Sequence, residues 1–72
     1  MSPDEFRACL DTIGWSQRNL ARRLAIHYTR TERMATGRYP VPANIADWLR
    51  RLASLHAVHK LPHGWREPDP PD

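Results

Sequence analysis

The sequence predicts a small all-α protein, a compact bundle of four to five helices that contains a helix-turn-helix. Apolar residues recur at helical spacing in four stretches, at about residues 3–13, 17–24, 28–36 and 43–59. Residues that cap helices precede the first two stretches, and glycines follow the first and the third. Only about three residues separate the two central stretches, which is typical of a helix-turn-helix.

The first helix begins at a strong start signal. Ser2 is a capping residue, Pro3 suits the first helical position, and Glu5 completes a capping box. Cys9 falls within the apolar pattern, so we interpret it as a small packing residue rather than a reactive thiol. The inward stripe of this helix is Phe6, Leu10 and Ile13.

The second and third helices form the helix-turn-helix. Ser16 is placed to cap the second helix, and Trp15 packs forward over it as a hydrophobic staple. The chain turns at residues 25–27, where Ile26 fills the core between the helices. Gly37 ends the third helix because it is free to take the left-handed conformation. The predicted buried residues are Leu20, Ala21, Leu24, Thr31 and Met34.

The outward face of the third helix carries the residues that can reach base edges. Arg33 is the best candidate, because a guanidinium pairs bidentately with O6 and N7 of guanine. Its alternatives are a phosphate contact or a salt bridge to Glu32, and Glu32 itself either accepts from cytosine or orients Arg33. Thr29 offers a methyl or a hydroxyl group, and Tyr28 either touches a base, stacks on sugar and phosphate, or packs on its own helix. The predicted base-reading residues are Tyr28, Thr29, Glu32 and Arg33.

A loop stiffened by two prolines, residues 37–42, leads into the longest helix. Ile45, Leu49 and Leu52 are predicted to serve the domain core. An adjoining apolar stripe makes the face broader than one small core can cover, which indicates a partner. We therefore expect a homodimer with two-fold symmetry. The predicted interface residues are Trp48, Leu52, Leu55 and Trp65.

Positive charge is concentrated in the middle of the chain. Between residues 15 and 51, eight arginines outnumber two acidic residues for a net charge of +6, whereas residues 1–14 carry −2 and residues 52–72 carry −1. Arginine binds phosphate bidentately, so this distribution favours a polyanion such as double-stranded DNA as the partner. The alternative is a basic face that is merely solvated.

One folding domain, residues 1–60, is expected, followed by an extended, proline-rich tail, residues 61–72, in which residues 66–72 are expected to be disordered. The single cysteine excludes an internal disulfide. No apolar run approaches the length of a membrane span and no signal peptide is recognised, so we expect a cytoplasmic protein without a membrane partner. His56, His59 and His63 lack the further ligands of a zinc site, and no cofactor or small-molecule ligand is indicated.

The pattern Gln17-x-x-Leu20-Ala21-x-x-Leu24-x-Ile26, with Gly37 eleven residues further on, resembles the Cro/C1-type (XRE) helix-turn-helix family. The resemblance covers about residues 5 to 52 and implies a compact all-α bundle that acts as a dimeric repressor, with the third helix in the major groove. The chain departs from the family pattern at four positions. They are Ala25 where glycine is preferred, His27 at the usual Ser/Thr cap, Thr31 and Met34.

The resemblance also implies roles for individual residues. Gln17 matches the phosphate-binding glutamine at the start of the second helix, and Arg38 and Tyr39 match the loop that holds the DNA backbone. Arg22 and Arg23 face outward, and either contact phosphate or only solubilise the surface. The predicted backbone contacts are Gln17, Arg18, Arg22, His27, Arg30, Arg38 and Tyr39.

The function predicted from these features is a sequence-specific DNA-binding regulator, a dimeric autorepressor that reads a palindromic operator. By resemblance, such short proteins control phage or mobile-element operons, including those that accompany anti-CRISPR genes. Two alternatives stay open: an antitoxin of the same fold, and a protein-interaction module without a DNA role. An enzyme is not expected, because no nucleophile–base pair, phosphate loop or pair of carboxylates is recognised.

Overall fold

The computed structural model describes residues 1–58, which form four helices and no strand. The helices are α1 (Pro3–Ile13), α2 (Gln17–Leu24), α3 (Tyr28–Thr36) and α4 (Ala43–Val58). The predicted all-α class and four helices are confirmed. The predicted last residue of α4, the tail at 61–72, Trp65 and two of the three histidines considered for zinc lie outside the described residues.

Side-chain caps fix where the first two helices begin. The Ser2 hydroxyl oxygen accepts from the Glu5 N–H at 3.1 Å, and the Ser16 hydroxyl oxygen accepts from the Asn19 N–H at 3.0 Å. Only half of the predicted capping box forms. The Glu5 carboxylate accepts a hydrogen bond from Nε of Arg50 at 2.5 Å, so α1 is tied to α4 instead of back to its own N-terminus.

The core draws on all four helices. Its largest fully buried side chains are Phe6, Leu20, Thr31, Met34 and Leu49. The Thr31 hydroxyl donates to the Tyr28 carbonyl at 2.7 Å, so this buried polar group is satisfied within its own helix. Cys9 is buried, as predicted, and burial raises the pKa of its thiol. The thiol is therefore a packing group and not an activated nucleophile.

The turn between α2 and α3 is tight and partly strained. Ile26 packs against the core, as predicted, and its N–H donates to the Ala21 carbonyl at 3.0 Å. Ala25 has φ 55° and ψ 42°, the left-handed conformation that glycine adopts without cost. The close packing of α2 against α3 thus keeps an alanine in a conformation it disfavours.

The C-terminal end of α3 is held by a contact between distant parts of the chain. Nη1 of Arg7 on α1 donates to the Ala35 carbonyl at 3.0 Å, across 28 residues of sequence. Arg7 also forms an ion pair with Asp4 on its own helix. Gly37 takes the left-handed conformation, and a Cβ at this position would lie 3.0 Å from Cγ of Pro3. As a result, α1 packs closely under the end of α3.

No helix among residues 1–58 is both long enough and apolar enough to cross a membrane.

Candidate nucleic-acid interface

α3 has a fully buried face and an exposed face. Thr31, Met34 and Ala35 are at most 3 % exposed and pack into the core. Glu32 and Arg33 are exposed on the other side. Because the buried face packs against α1 and α2, the exposed face is presented on a rigid support.

The N-terminal end of α3 is capped by a histidine. Nδ1 of His27 accepts from the Thr29 N–H at 3.2 Å, and the Thr29 hydroxyl contacts the same nitrogen. His27 therefore fills the capping role that serine or threonine usually has. The Thr29 hydroxyl is thus engaged at the cap, and the residue is half-buried.

The loop after α3 is pinned to the helix. The N–H groups of Arg38 and Tyr39 both donate to the Arg33 carbonyl, at 2.9 and 3.2 Å. Tyr39 is half-buried against the core, whereas the Arg38 side chain is exposed. The loop consequently has a fixed position relative to the exposed face of α3.

Two groups of arginines can be distinguished within residues 1–58. The first is engaged with protein: Arg7 as described above, Arg50 with Glu5, and Arg23, which stacks on Trp15 at 4.2 Å and donates to Asn19 at 2.7 Å. In the second group, the guanidinium has no hydrogen-bond, ion-pair or aromatic partner among the described residues; this group comprises Arg22, Arg33, Arg38 and Arg51. The alternative of an Arg33–Glu32 salt bridge does not occur here.

Two further arginines lie on tyrosine rings. The guanidinium carbon of Arg18 on α2 lies 4.5 Å from the centre of the Tyr28 ring, and that of Arg30 lies 5.3 Å from the Tyr39 ring. Such distances are typical of cation–π contacts. These pairings had no sequence signal, because helical spacing does not specify how residues on different elements meet.

Gln17 lies half-buried at the start of α2. It lines an open cavity of about 280 Å³ between α1 and α2, together with Arg7 and Asp11. The first turn of α2 contains no acidic residue, so its free N–H groups face no carboxylate from their own helix.

One ion pair, between Arg50 and Glu5, joins α1 to α4. The hydrogen bond from Arg50 lowers the pKa of the Glu5 carboxyl group, and the same contact raises the pKa of Arg50. Arg50 also lies 3.6 Å from Asp47. Within residues 1–58, no group of three or more His, Cys, Asp or Glu side chains is arranged to hold a metal ion.

The apolar residues of α4 that were predicted to form a dimer interface differ in how far the chain itself covers them. Trp48 packs on Trp15 with 5.6 Å between ring centroids, and Leu52 packs against the core. Leu55 is 55 % exposed and Val58 is 77 % exposed. Among residues 1–58, the most exposed large apolar side chains therefore lie at the C-terminal end of α4, and Trp48 is less exposed at 37 %.

Comparison of the chain with protein-family models, curated proteins and solved structures found no match.

Proposed function

We propose that this chain is a cytoplasmic, sequence-specific double-stranded DNA-binding regulator that inserts α3 into the major groove. The observation that carries the proposal is the exposed face of α3, where the Arg33 guanidinium has no hydrogen-bond or ion-pair partner among residues 1–58 although Thr31, Met34 and Ala35 on the opposite face are buried. A helix held in this way matches how helix-turn-helix proteins present side chains to base edges.

The side chains of this surface support a division between residues that read the base sequence and residues that hold the phosphate backbone. Arg33 and Glu32 lie on the exposed face of α3 and have the chemistry to bind guanine and cytosine, respectively. Thr29 contributes its methyl group to a thymine contact. We assign Gln17, Arg22, His27 and Arg38 to phosphate contacts, which supply affinity without sequence preference.

We further propose that the regulator is a homodimer that represses its own operon. Two copies of α3 related by two-fold symmetry would read half-sites about 34 Å apart in successive major grooves. The exposed Leu55 and Val58 support an interface at the C-terminal end of α4. Repression follows because a bound dimer blocks access of the polymerase to the promoter.

A footprint on the DNA upstream of the chain's own coding region tests this proposal. We expect a protected, palindromic site. Arg33→Ala should relax preference at one base pair per half-site, whereas Arg38→Ala should weaken all sequences alike and lower the salt dependence by about one unit of slope. Arg51→Ala is the matched control, since it removes the same charge from an exposed position on α4.

Further measurements on the purified protein distinguish a DNA-binding regulator from the two alternative functions, a protein-interaction module and an antitoxin. Light scattering should give a dimer for the wild type and a monomer for Leu55→Glu. No binding of duplex DNA by the wild type would favour a protein-interaction module, and co-purification of a toxic partner would favour an antitoxin. Identical behaviour of Arg33→Ala and Arg38→Ala would contradict the division between reading and holding.

A further inference from the structure

The ring of Tyr28 is in contact with two other side chains of the protein. Arg18, which comes from α2, lies over it at 4.5 Å, and the His27 ring lies 5.9 Å away at an interplanar angle of 33°. Tyr28 is nevertheless 40 % exposed, so it is not a core residue. Its ring thus serves as a surface on which an arginine of the neighbouring helix rests.

Tyr39 has the same arrangement at the other end of α3. Its ring packs partly against the core, its N–H is bonded to the Arg33 carbonyl, and the Arg30 guanidinium lies 5.3 Å from its centre. Arg30 is exposed, as is Arg18. Arg18 and Arg30 are therefore each restrained by a tyrosine, one at the N-terminal end of α3 and the other just after its C-terminal end.

Stacking restrains an arginine without using its hydrogen-bond donors. In a stacked pair, the aromatic ring contacts the face of the guanidinium, so the five N–H groups, which lie in the plane of the guanidinium, stay available to other partners. A stacked arginine has lost part of its rotamer freedom before binding, so less entropy is lost when it meets a phosphate. A free arginine at the same position would bind phosphate more weakly.

We propose that Tyr28 and Tyr39 are positioning residues that hold Arg18 and Arg30 for phosphate contacts on the two sides of the groove. This inference rests on the proposed DNA-binding function. It reassigns Tyr28, which the sequence predicted as a base-reading residue, and Tyr39, which the resemblance implied as a contact to the DNA backbone. Base preference then comes from Arg33, Glu32 and Thr29, and the tyrosines contribute affinity that is independent of sequence.

A double-mutant cycle on DNA affinity tests the inference. Affinities of wild type, Arg18→Ala, Tyr28→Leu and the double variant are measured on the preferred duplex and on its single-base-pair variants, across a salt series. We expect Tyr28→Leu to weaken all duplexes equally, and to have about twofold to fivefold less effect when Arg18 is already alanine. Arg18→Ala should lower the salt slope by about one.

Two further variants separate positioning from a structural effect. Tyr28→Phe keeps the aromatic face, so it should bind like the wild type, and Arg18→Lys keeps the charge but loses the planar stack, so it should bind like Tyr28→Leu. The pair Arg30→Ala and Tyr39→Leu should behave in the same way. Circular dichroism confirms that each variant is folded.

Three results would overturn the inference. They are a changed base preference in Tyr28→Leu, full additivity of Tyr28→Leu with Arg18→Ala, and a loss of affinity in Tyr28→Phe. If DNA binding by the wild type depends on Arg33 but the effects of Tyr28→Leu and Arg18→Ala are additive, the proposed function stands and only this inference is removed. Absence of any wild-type binding to duplex DNA would remove both.

Discussion

Ala25 is the residue at which local conformation and side chain conflict most clearly. Its φ of 55° lies in the left-handed region, which costs a residue with a Cβ about 1 kcal/mol relative to glycine. Ala25→Gly should therefore raise the free energy of unfolding by about 1 kcal/mol, which corresponds to about 4–8 °C in Tm for a domain of this size. Thermal unfolding followed by circular dichroism measures the change.

An alanine-to-glycine substitution at an ordinary helical position should instead lower the free energy of unfolding. Ala8 is exposed in the middle of α1, where glycine costs about 0.5–1 kcal/mol. Ala8→Gly should lower Tm. If Ala25→Gly also lowered it, the turn would not carry the strain described above.

Glu5 makes the stability of the fold depend on pH. Its pKa is lowered in the folded protein by the hydrogen bond from Arg50, from an ordinary value of 4.5. The stabilisation is therefore complete above that ordinary value and is lost as the pH falls through the lowered folded value. Urea unfolding should show a stability difference between wild type and Glu5→Gln at neutral pH that disappears in acid. A difference that persisted unchanged in acid would contradict this assignment.

At the scale of single residues, the sequence predicts what depends on near neighbours. Ser2 and Ser16 cap as expected because a cap bonds an N–H three residues away. The Glu5–Arg50 contact spans 45 residues and was not predicted. Nothing in local propensity distinguishes a glutamate that turns back to its own helix from one that reaches an arginine on another.

At the scale of the elements, α3 is positioned as much by α1 as by the turn that precedes it. Arg7 donates to the Ala35 carbonyl and so satisfies one of the acceptors left free at the helix end. Arg7→Ala should lower the free energy of unfolding by about 1 kcal/mol. It should also speed amide exchange in the last turn of α3 more than in α2, which hydrogen exchange measured by NMR can resolve.

Arg51→Ala is the control for this prediction. Arg51 is exposed on α4 and has no hydrogen-bond or ion-pair partner among residues 1–58, so its loss should change stability by less than about 0.5 kcal/mol. Equal destabilisation by the two variants, or exchange that rises uniformly over the fold, would show that Arg7 does not secure α3.

The helices themselves were largely predictable, whereas their contacts were not. Gly14 and Gly37 end α1 and α3 in the left-handed conformation, and helical spacing identified Phe6, Leu20 and Met34 as buried. The stacking of Arg18 on Tyr28 depends on how α2 crosses α3. That crossing follows from the packing of whole side chains, which a one-dimensional pattern does not contain.

At the scale of the whole molecule, charge is separated along the chain. Ion pairs of α1 and α4 neutralise Arg7 and Arg50, whereas Arg33 and Arg38 meet no carboxylate among residues 1–58. The basic field therefore concentrates on α2, α3 and the following loop, which supports attraction of a polyanion to the face that presents Arg33. The sequence predicted the net charge of this segment, but only the fold reveals which arginines are already engaged.

The central claim, that Arg33 reads DNA sequence from a rigid helix, is tested most directly by selecting duplexes from a random-sequence pool with the purified protein. Wild type and Arg51→Ala should enrich one palindromic sequence, and Arg33→Ala should enrich the same sequence without its preference for guanine at one position per half-site. Failure of the wild type to enrich any sequence, or an unchanged preference in Arg33→Ala, would contradict the claim.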